Sequence, residues 1–363
     1  MRAPLTRGLL AREQSVPNVV FAIPGNIETA SGGYGYDRRV LELLPAYGIA
    51  ASHLELPGSF PAPSSADLAV ARSLLTATPA SSVLLIDGLA YGAIPATMIE
   101  ELSRDVIALV HHPVGYETGL AEARAEELIA MEKAALALAR HVVVTSSSTK
   151  RTLERDFAVP SKKITVAEPG TDPAPRATGT GTPLQMLAVG AISRRKAYDI
   201  LVRALVPLAE LDWRLTIAGA TDRDANAVDL LDSTIASARL GDRVTLAGKV
   251  VPATLDRLYE SADLLVMPSL YEGYGMVLAE AMARGLPIVC TTGGAAADTV
   301  PSNAAIKVPP GDPQALSVAL RDVLENKKLR IRMADASWDA GRALPTWNET
   351  ARRIAATILG MSV

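Results

Sequence analysis

Short runs of apolar residues rich in valine, isoleucine and leucine recur along the chain, and most precede a stretch with the spacing of an amphipathic helix. Continuous apolar runs are typical of parallel strands that are buried on both faces. In the first half, strands are predicted at residues 18–23, 49–56, 82–88, 105–113, 141–147 and 163–170. In the second half, they are predicted at residues 183–190, 214–219, 244–250, 262–268 and 286–291. This alternation of strands and helices predicts an α/β fold with parallel sheets.

A segment without large apolar side chains separates the two halves of this pattern. We predict a linker at residues 173–182, where proline, glycine and threonine dominate. Because 363 residues exceed one typical core, we expect two domains, at residues 1–172 and 183–345. A final helical pattern runs from residue 338 to residue 359, and we expect a C-terminal helix at 346–363 to join the N-terminal domain.

Composition and charge argue against several classes of protein. A net charge of −3 with mixed signs gives no reason to expect nucleic-acid binding. The single cysteine, Cys290, lies in a predicted buried strand, so no internal disulfide can form and a cytoplasmic location is expected. The first 15 residues lack the apolar core of an export signal, and no run of 18 apolar residues could span a membrane.

Peripheral contact with the inner face of a membrane stays open. Arg38 and Arg39 stand beside leucines in the first predicted helix, which is expected to begin at Asp37. A helix that packs against the core explains this pattern equally well.

The densest set of candidate functional residues lies at residues 267–294, predicted as strand, glycine-containing loop, helix and strand. Glu272 falls in the loop and Glu280 about one turn inside the helix. On one continuous helix they would be about 80° and roughly 12 Å apart, so they suit the two ends of an elongated ligand. The helix N-terminus between them favours an anion such as a diphosphate. Alternatively, Glu280 and Arg284 form an ordinary i,i+4 pair on a solvated helix.

Three further strand ends carry polar or glycine-rich segments. Gly32 and Gly33 follow the first strand and would let backbone N–H groups approach a phosphate, although the dinucleotide fingerprint is absent and a plain flexible turn is the alternative. Arg195 and Lys196 follow the first strand of the second half and could bind an anion, unless they form a surface cluster. His111 ends another strand beside a second histidine, His112. We expect one to contact substrate and the other to pack or cap, because no nearby third ligand completes a zinc site.

Together, these segments resemble the retaining nucleotide-sugar glycosyltransferases of family four, which have the GT-B fold of two facing Rossmann-like domains around a deep interdomain cleft. The resemblance runs from SGGYGY through PGTD and SRRK to PSLYEGYGMVLAEAMARGLPIV and PPGD. The block EGYG...EAMA.G.P is the most specific part. It places the E-x7-E pattern of this family at Glu272 and Glu280.

The resemblance implies a role for each candidate. Glu280 would bind the nucleotide ribose, Glu272 the hydroxyls of the donor sugar, and Arg195 and Lys196 the diphosphate. His111 would lie beside the reacting sugar. Backbone groups would complete the site, namely those of Gly32, Gly33, Gly273, Tyr274, Gly275, Met276 and, near the base, Val250.

Three positions depart from the pattern, and one pair of aspartates could be misread. The family commonly has arginine where this chain has Ala191, so Arg194 or Arg195 would substitute, and its Lys-Gly is Lys196-Ala197 here. The acidic residue after the late Gly-Gly is Asp298 rather than glutamate. Asp222 and Asp224 form a DxD pair, which helix-starting acids explain more simply than a metal site.

The resemblance implies a metal-independent hexosyltransferase that needs no cofactor and acts in polysaccharide biosynthesis. It would move a sugar from a UDP, GDP or ADP sugar to a hydroxyl of a glycan, lipid-linked or small-molecule acceptor, with retention of configuration. Two alternatives stay open. One is a sugar-nucleotide epimerase or hydrolase of the same fold, and the other is a non-catalytic two-domain sugar-binding protein.

Overall fold

The computed structural model describes residues 18–360 of the chain. The segment predicted to lack an export signal, and the last three residues of the predicted C-terminal helix, lie outside this range. Within it, no helix combines the length and the apolar composition that crossing a membrane requires.

The strands alternate with helices along the described chain. They are β1 (Asn18–Pro24), β2 (Ala50–Leu56), β3 (Val83–Asp87), β4 (Val106–Val110), β5 (His141–Val144), β6 (Ile164–Val166), β7 (Leu184–Val189), β8 (Trp213–Ala218), β9 (Val244–Gly248), β10 (Leu264–Met267), β11 (Ile288–Thr291) and β12 (Ala305–Val308). They form two six-stranded parallel sheets, in the orders β2-β1-β3-β4-β5-β6 and β12-β11-β10-β7-β8-β9.

The helices cover both faces of these sheets. They are α1 (Gly32–Leu43), α2 (Ser65–Ala77), α3 (Gly88–Tyr91), α4 (Ala96–Glu101), α5 (Glu122–Leu138), α6 (Ser147–Asp156), α7 (Tyr198–Leu205), α8 (Ala225–Ala238), α9 (Pro252–Ser261), α10 (Met276–Ala283), α11 (Ala296–Thr299), α12 (Pro313–Glu325), α13 (Lys327–Gly341) and α14 (Trp347–Ile358). Short 3-10 helices at Val114–Tyr116 and Arg194–Lys196 belong to the site described below.

The central strands are buried on both faces, as their continuous apolar runs predict. β4 is buried at every position, and so are β10 and β11. Apolar side chains on each face of a sheet pack against helices, and this burial is the main stabilising contribution to each layer. The predicted α/β class with two Rossmann-like domains is therefore confirmed.

The last helix of the described chain packs against the first sheet's helices, next to α1. Tyr47 donates to the carbonyl of Asn348 at 2.7 Å, and Thr350 donates to the carbonyl of Glu168 at 2.6 Å. The first sheet ends at β6 and the second begins at β7, so the predicted linker at 173–182 falls between them. The residue boundaries of the two domains stay a prediction.

Three sequence-based expectations about elements were wrong. Helix α1 begins at Gly32 rather than Asp37, because the Ser31 side chain accepts from the Tyr34 N–H and caps the helix there. The helical pattern of residues 338–359 is two helices, since a capping box of Thr346 and Glu349 starts α14 anew. Strand β12 was missed because it has only four residues and Lys307 interrupts its apolar run.

Candidate functional site

A cavity of about 650 Å³ lies between the two domains. Segments that follow the carboxyl ends of strands in both sheets line it, which is where open parallel sheets bind ligands. Its wall contains all twelve candidate residues of the sequence analysis, namely Gly32, Gly33, His111, Arg195, Lys196, Val250, Glu272, Gly273, Tyr274, Gly275, Met276 and Glu280. Their roles stay predictions.

Two cations converge on Glu272 in the second domain. Lys196 Nζ lies 2.7 Å from Glu272 Oε1, and an Arg195 guanidinium nitrogen lies 3.4 Å from the same oxygen. Burial would raise the pKa of Glu272, but the charges of Lys196 and Arg195 lower it to about 2. Glu272 is therefore an anion near neutral pH, paired with Lys196 and Arg195.

Two hydrogen bonds to backbone carbonyls hold the segment that carries Arg195 and Lys196 against the loop that carries Glu272. Leu270 N–H donates to the Arg195 carbonyl at 2.8 Å, and the Arg195 side chain donates to the Tyr271 carbonyl at 2.9 Å. The 3-10 turn after β7 and the loop after β10 are thus fixed to one another across adjacent strands. This arrangement preorganises the cations.

The loop enters α10 through a left-handed residue. Gly275 has φ of +89° and is the N-cap of α10, a conformation that glycine adopts without steric strain. The first N–H groups of α10 have no acceptor within the helix, and they face the cavity with Gly273 and Met276. This helix start can bind an anion.

Glu280 is held at another part of the cavity wall. Tyr259 donates to Glu280 Oε2 at 2.7 Å, while Arg284 binds the Asp256 carboxylate at 2.6 Å and lies over the Tyr259 ring. Burial raises the pKa of Glu280 above its ordinary value, although Tyr259 and Arg284 oppose the shift. Glu280 and Arg284 are therefore not the solvated ion pair of the alternative interpretation.

The first domain contributes a second helix start. Because α1 begins at Gly32, the N–H groups of Gly32 and Gly33 lie in its first turn, where no intrahelical acceptor exists. A Cβ on Gly32 would lie 3.5 Å from Met276 Sδ, and one on Gly33 would lie 3.5 Å from the His111 ring. The glycines therefore leave backbone open to the cavity close to both domains.

His111 is bound by two buried carboxylates that the sequence analysis did not assign. Its Nε2 lies 3.2 Å from Asp37 Oδ1 and 3.5 Å from Asp87 Oδ2. Thr145 donates to its carbonyl oxygen at 3.2 Å. Asp87 closes strand β3, so its place at a carboxyl strand end was the signal that could have identified it.

His112 also lines the cavity, so the two neighbouring histidines both face it. Its Nε2 lies 3.2 Å from Glu117 Oε2, and Glu117 Oε1 lies 3.5 Å from Arg195 Nε in the other domain. Burial would raise the pKa of Glu117, but His112 and Arg195 lower it. Glu117 thus links the domains, and nothing in its local sequence distinguishes it from other acids.

Asp37, Asp87 and His111 form a group that could hold a metal ion, with one ligand atom each, all within 4.8 Å of one another. No further ligand for His111 lies near it in the sequence, but the fold supplies two from distant positions. The expectation that no metal is needed stays a prediction.

The three departures from the family pattern and the DxD pair have different surroundings. Ala191 and Arg195 line the cavity, whereas the Arg194 side chain lies against Gly119. Ala197 is left-handed, with φ of +52°. Asp298 forms an ion pair with Arg151 of the first domain. Asp224 caps α8 by accepting from the Ala227 N–H at 3.0 Å, as expected for a helix-starting acid.

Comparisons with known proteins agree with this fold. Residues 174–338 match the family model of glycosyl transferases group 1. Mannosylfructose-phosphate synthase from Agrobacterium fabrum is 28% identical over 185 residues, which cover 49% of this chain and 41% of that protein. The chain spans about half the length of the curated relatives it matches.

Two solved structures superpose on nearly the whole chain. Sucrose-phosphate synthase from Thermosynechococcus elongatus has a TM-score of 0.79 and 22% identity, and the match covers 94% of this chain and 98% of that one. The Anabaena protein HepE in complex with UDP and glucose has a TM-score of 0.75 and 16% identity, with 94% and 99% covered. The second domain thus matches the model of the group 1 glycosyl transferases, and both domains have the fold of these solved structures, the GT-B fold.

Proposed function

We propose that the protein transfers a sugar from a nucleoside-diphosphate sugar to a hydroxyl of an acceptor, with retention of configuration. The observation that supports this most is the convergence of two helix starts, α1 and α10, with Arg195 and Lys196 at one interdomain cavity. Each of these groups favours an anion, and together they suit a diphosphate. HepE, which shares the fold, was solved with UDP and glucose, and this supports the ligand class.

The carboxylates give the proposed ligand its orientation. Glu280 binds the ribose hydroxyls, Glu272 binds hydroxyls of the sugar, and backbone near Val250 contacts the base. The diphosphate lies between them on Lys196, Arg195 and the helix starts. His111 lies beside the sugar from the first domain.

In the proposed reaction, the bond between the anomeric carbon and the diphosphate oxygen breaks. The acceptor oxygen forms a new bond on the same face, and the acceptor proton moves to the departing diphosphate. No carboxylate acts as a covalent nucleophile. Lys196, Arg195 and the two helix starts stabilise the charge that develops on the leaving group, a form of electrostatic catalysis.

A ligand screen tests the proposal directly. We expect UDP, GDP or ADP to raise the unfolding temperature, since a ligand at 100 times its Kd stabilises by about 2.7 kcal/mol. The matching nucleotide sugar is then supplied with glycan, lipid-linked and small-molecule acceptors, and NMR reports the anomer formed. Donor consumption without an acceptor would instead indicate an epimerase or hydrolase. Tight monosaccharide binding that does not depend on nucleotide would indicate a binding protein.

Replacing Lys196 tests the cation that contacts Glu272. We expect Lys196→Ala to reduce kcat by about 10²–10³-fold, or about 2.7–4 kcal/mol in the transition state, because one donor to the leaving diphosphate is lost. Steady-state kinetics with the identified donor measure the loss, and circular dichroism checks folding. Lys328→Ala removes an exposed lysine of α13 outside the cavity and should retain activity. Near-normal transfer by a folded Lys196→Ala protein would contradict the assignment.

A further inference from the structure

The proposed transfer accounts for the cations and for Glu272 and Glu280, but it gives no role to Asp37 or Asp87. Both side chains are almost completely buried, with exposed fractions of 1% and 2%. Burying a carboxylate is unfavourable unless hydrogen bonds or opposite charges compensate. The shared neighbour of these two carboxylates is His111, whose side chain is 24% exposed and reaches the cavity.

The sheet order brings these three residues together. Strands β1, β3 and β4 are adjacent in the first sheet. Asp37 lies in the helix that follows β1, Asp87 is the last residue of β3, and His111 follows β4 directly. The cluster is therefore built into the carboxyl edge of three neighbouring strands rather than into a loose surface loop.

Only one nitrogen of His111 points at the carboxylates. Nε2 lies within hydrogen-bond distance of Asp37 Oδ1, at 3.2 Å, and makes an ion-pair contact with Asp87 Oδ2 at 3.5 Å, so an N–H there faces both carboxylates. Among residues 18–360, Nδ1 has no hydrogen-bond partner. Gly273 of the second domain lies against the backbone carbonyl of His111, and the Tyr36 ring lies edge-on to the imidazole, with the ring centroids 5.3 Å apart.

We propose that Asp37 and Asp87 are positioning residues that keep His111 charged by holding the proton on Nε2, so that Nδ1–H donates to an oxygen of the bound donor. The catalytic part of this proposal rests on the proposed sugar transfer. It adds a fixed positive group of the first domain to those that the second domain supplies. It also explains why two acids are buried behind a histidine.

The electrostatics of the cluster agree with this role. Burial alone would lower the pKa of His111, but the two carboxylates raise it above its ordinary value. Burial raises the pKa of Asp37 as well, and burial with the nearby charge of Asp37 raises the pKa of Asp87 to about 7. One proton shared among these acids would leave the cluster close to neutral while His111 stays charged.

Other titratable groups face the cluster and must be considered in any pH experiment. The charges of Arg38 and His53 act on Asp37. Burial and the nearby charge of Asp87 raise the pKa of Tyr34, and the charge of Arg223 in the second domain opposes this shift. None of these groups contacts Nε2 of His111 within the described chain, so a change at that atom reports on Asp37 and Asp87.

The test uses the isosteric variants Asp37→Asn and Asp87→Asn in the full chain. With ¹⁵N-labelled histidine, NMR follows the His111 ring, assigned by its loss in His111→Gln. We expect the titration midpoint of His111 to fall by about one to three pH units in each variant. We also expect kcat to fall at least tenfold, while the donor KM stays within about threefold of the wild-type value. In the plot of kcat against pH, the alkaline limb should move to lower pH.

Asp263→Asn serves as the matched control. Asp263 also accepts backbone hydrogen bonds, from Gln185 and Gly181, but it lies outside the cavity. It should leave both the His111 titration and kcat unchanged. If one of the two test variants does not fold, the other one alone tests the proposal, because Nε2 contacts both carboxylates.

Three results would overturn the proposal. An unchanged His111 midpoint in folded variants would mean that the acids only fill space. Normal kcat with a shifted midpoint would mean that the charge of His111 does not serve transfer. If chelation abolishes activity, a divalent cation restores it, and neither variant shows this dependence, the cluster is a metal site. The NMR titration needs no substrate, so it stays informative even if sugar transfer itself is not observed.

Discussion

At the scale of single residues, chemically identical side chains behave differently because their neighbours differ. Glu272 and Glu280 lie eight positions apart, yet the pKa of Glu272 is lowered to about 2 and that of Glu280 is raised. Glu272 contacts two cations, whereas Glu280 receives a neutral phenol hydrogen bond. The two glutamates are therefore suited to different parts of the proposed donor.

Tyr259 is expected to orient Glu280 for the ribose. We predict that Tyr259→Phe raises donor KM about five- to tenfold with little change in kcat, because losing this hydrogen bond weakens ground-state binding by about 1 kcal/mol. The effect should disappear with a donor that lacks the ribose hydroxyls. Tyr47→Phe, which removes a phenol bonded to the Asn348 carbonyl outside the cavity, is the control. Equal KM values for wild type and Tyr259→Phe would contradict this role.

Glu132 is a buried acid that the proposed reaction does not use. It accepts a hydrogen bond from the Val114 N–H at 2.9 Å, and Glu132 Oε1 has no partner. Burial raises the pKa of Glu132 to about 8, although backbone hydrogen bonds oppose the shift. The unfolded chain releases this proton near pH 4.5, so the folded state loses stability as pH rises from about 5 to about 8.

We predict that Glu132→Gln flattens this pH dependence. The amide oxygen still accepts from Val114, but no proton is lost, so the slope should fall by up to about 1.4 kcal/mol per pH unit. Urea unfolding at pH 5, 6, 7 and 8 measures the slope. Glu126→Gln, on the exposed face of the same helix, should leave it unchanged. Identical slopes for wild type and Glu132→Gln would show that Glu132 titrates normally.

At the scale of elements, the site depends on how helices begin. α1 begins with two glycines, and α10 begins after a left-handed glycine, so backbone N–H groups in both first turns reach the cavity. The start of α7, which also follows a strand and a short loop, differs from these two. Ala197, at the start of α7, adopts the left-handed conformation with φ of +52° although it has a Cβ.

Ala197→Gly should relieve strain at this junction. The left-handed conformation costs a residue with a Cβ about 1–2 kcal/mol, and glycine removes this cost. Glycine also makes the unfolded chain more flexible, which reduces the gain in stability by about 0.4–1 kcal/mol. We predict a net stabilisation of up to about 1 kcal/mol with transfer retained, measured by denaturant unfolding and kinetics. Ala204→Gly, in the right-handed interior of the same helix, should instead destabilise by about 1 kcal/mol. A destabilised Ala197→Gly protein would show that the alanine methyl group contributes more by packing than it costs in strain.

At the scale of the whole molecule, the site exists only where the domains meet. The loop of Gly273 lies against His111, the ring of His112 packs edge-on to Tyr271 at 5.6 Å, and Glu117 reaches Arg195. A Cβ on Gly273 would lie 2.5 Å from the His111 carbonyl oxygen, which is closer than such atoms can approach. The spacing of the domains therefore depends on the absence of a side chain at Gly273.

We predict that Gly273→Ala lowers kcat/KM more than tenfold while global unfolding changes little, because the added methyl group separates the domains rather than disturbing either core. Kinetics and denaturant unfolding test this, and X-ray scattering reports the separation. Gly241→Ala, where an added Cβ meets no atom within 4 Å, is the control. Full activity in Gly273→Ala would show that the domains need not approach this closely.

Local patterns were sufficient for much of this architecture. Buried strands such as β4 and β10 are short apolar runs, and Gly275 and Met276 mark a helix start by composition alone. The prediction placed the start of α1 five residues late because Ser31 was not recognised as its cap. It also missed β12, an edge strand of only four residues whose apolar run is interrupted by Lys307.

By itself, the sequence determined the α/β class, the order of most elements and twelve of the residues that line the cavity. The class and the order of elements follow from periodicity, and the twelve residues follow from local motifs and from the family resemblance that those motifs carry. Only the tertiary structure decided that Asp37 and Asp87 meet Nε2 of His111, and that Glu117 faces Arg195. The physical reason is that such meetings depend on which strands become neighbours and on how two domains approach. Packing sets both over long distances along the chain.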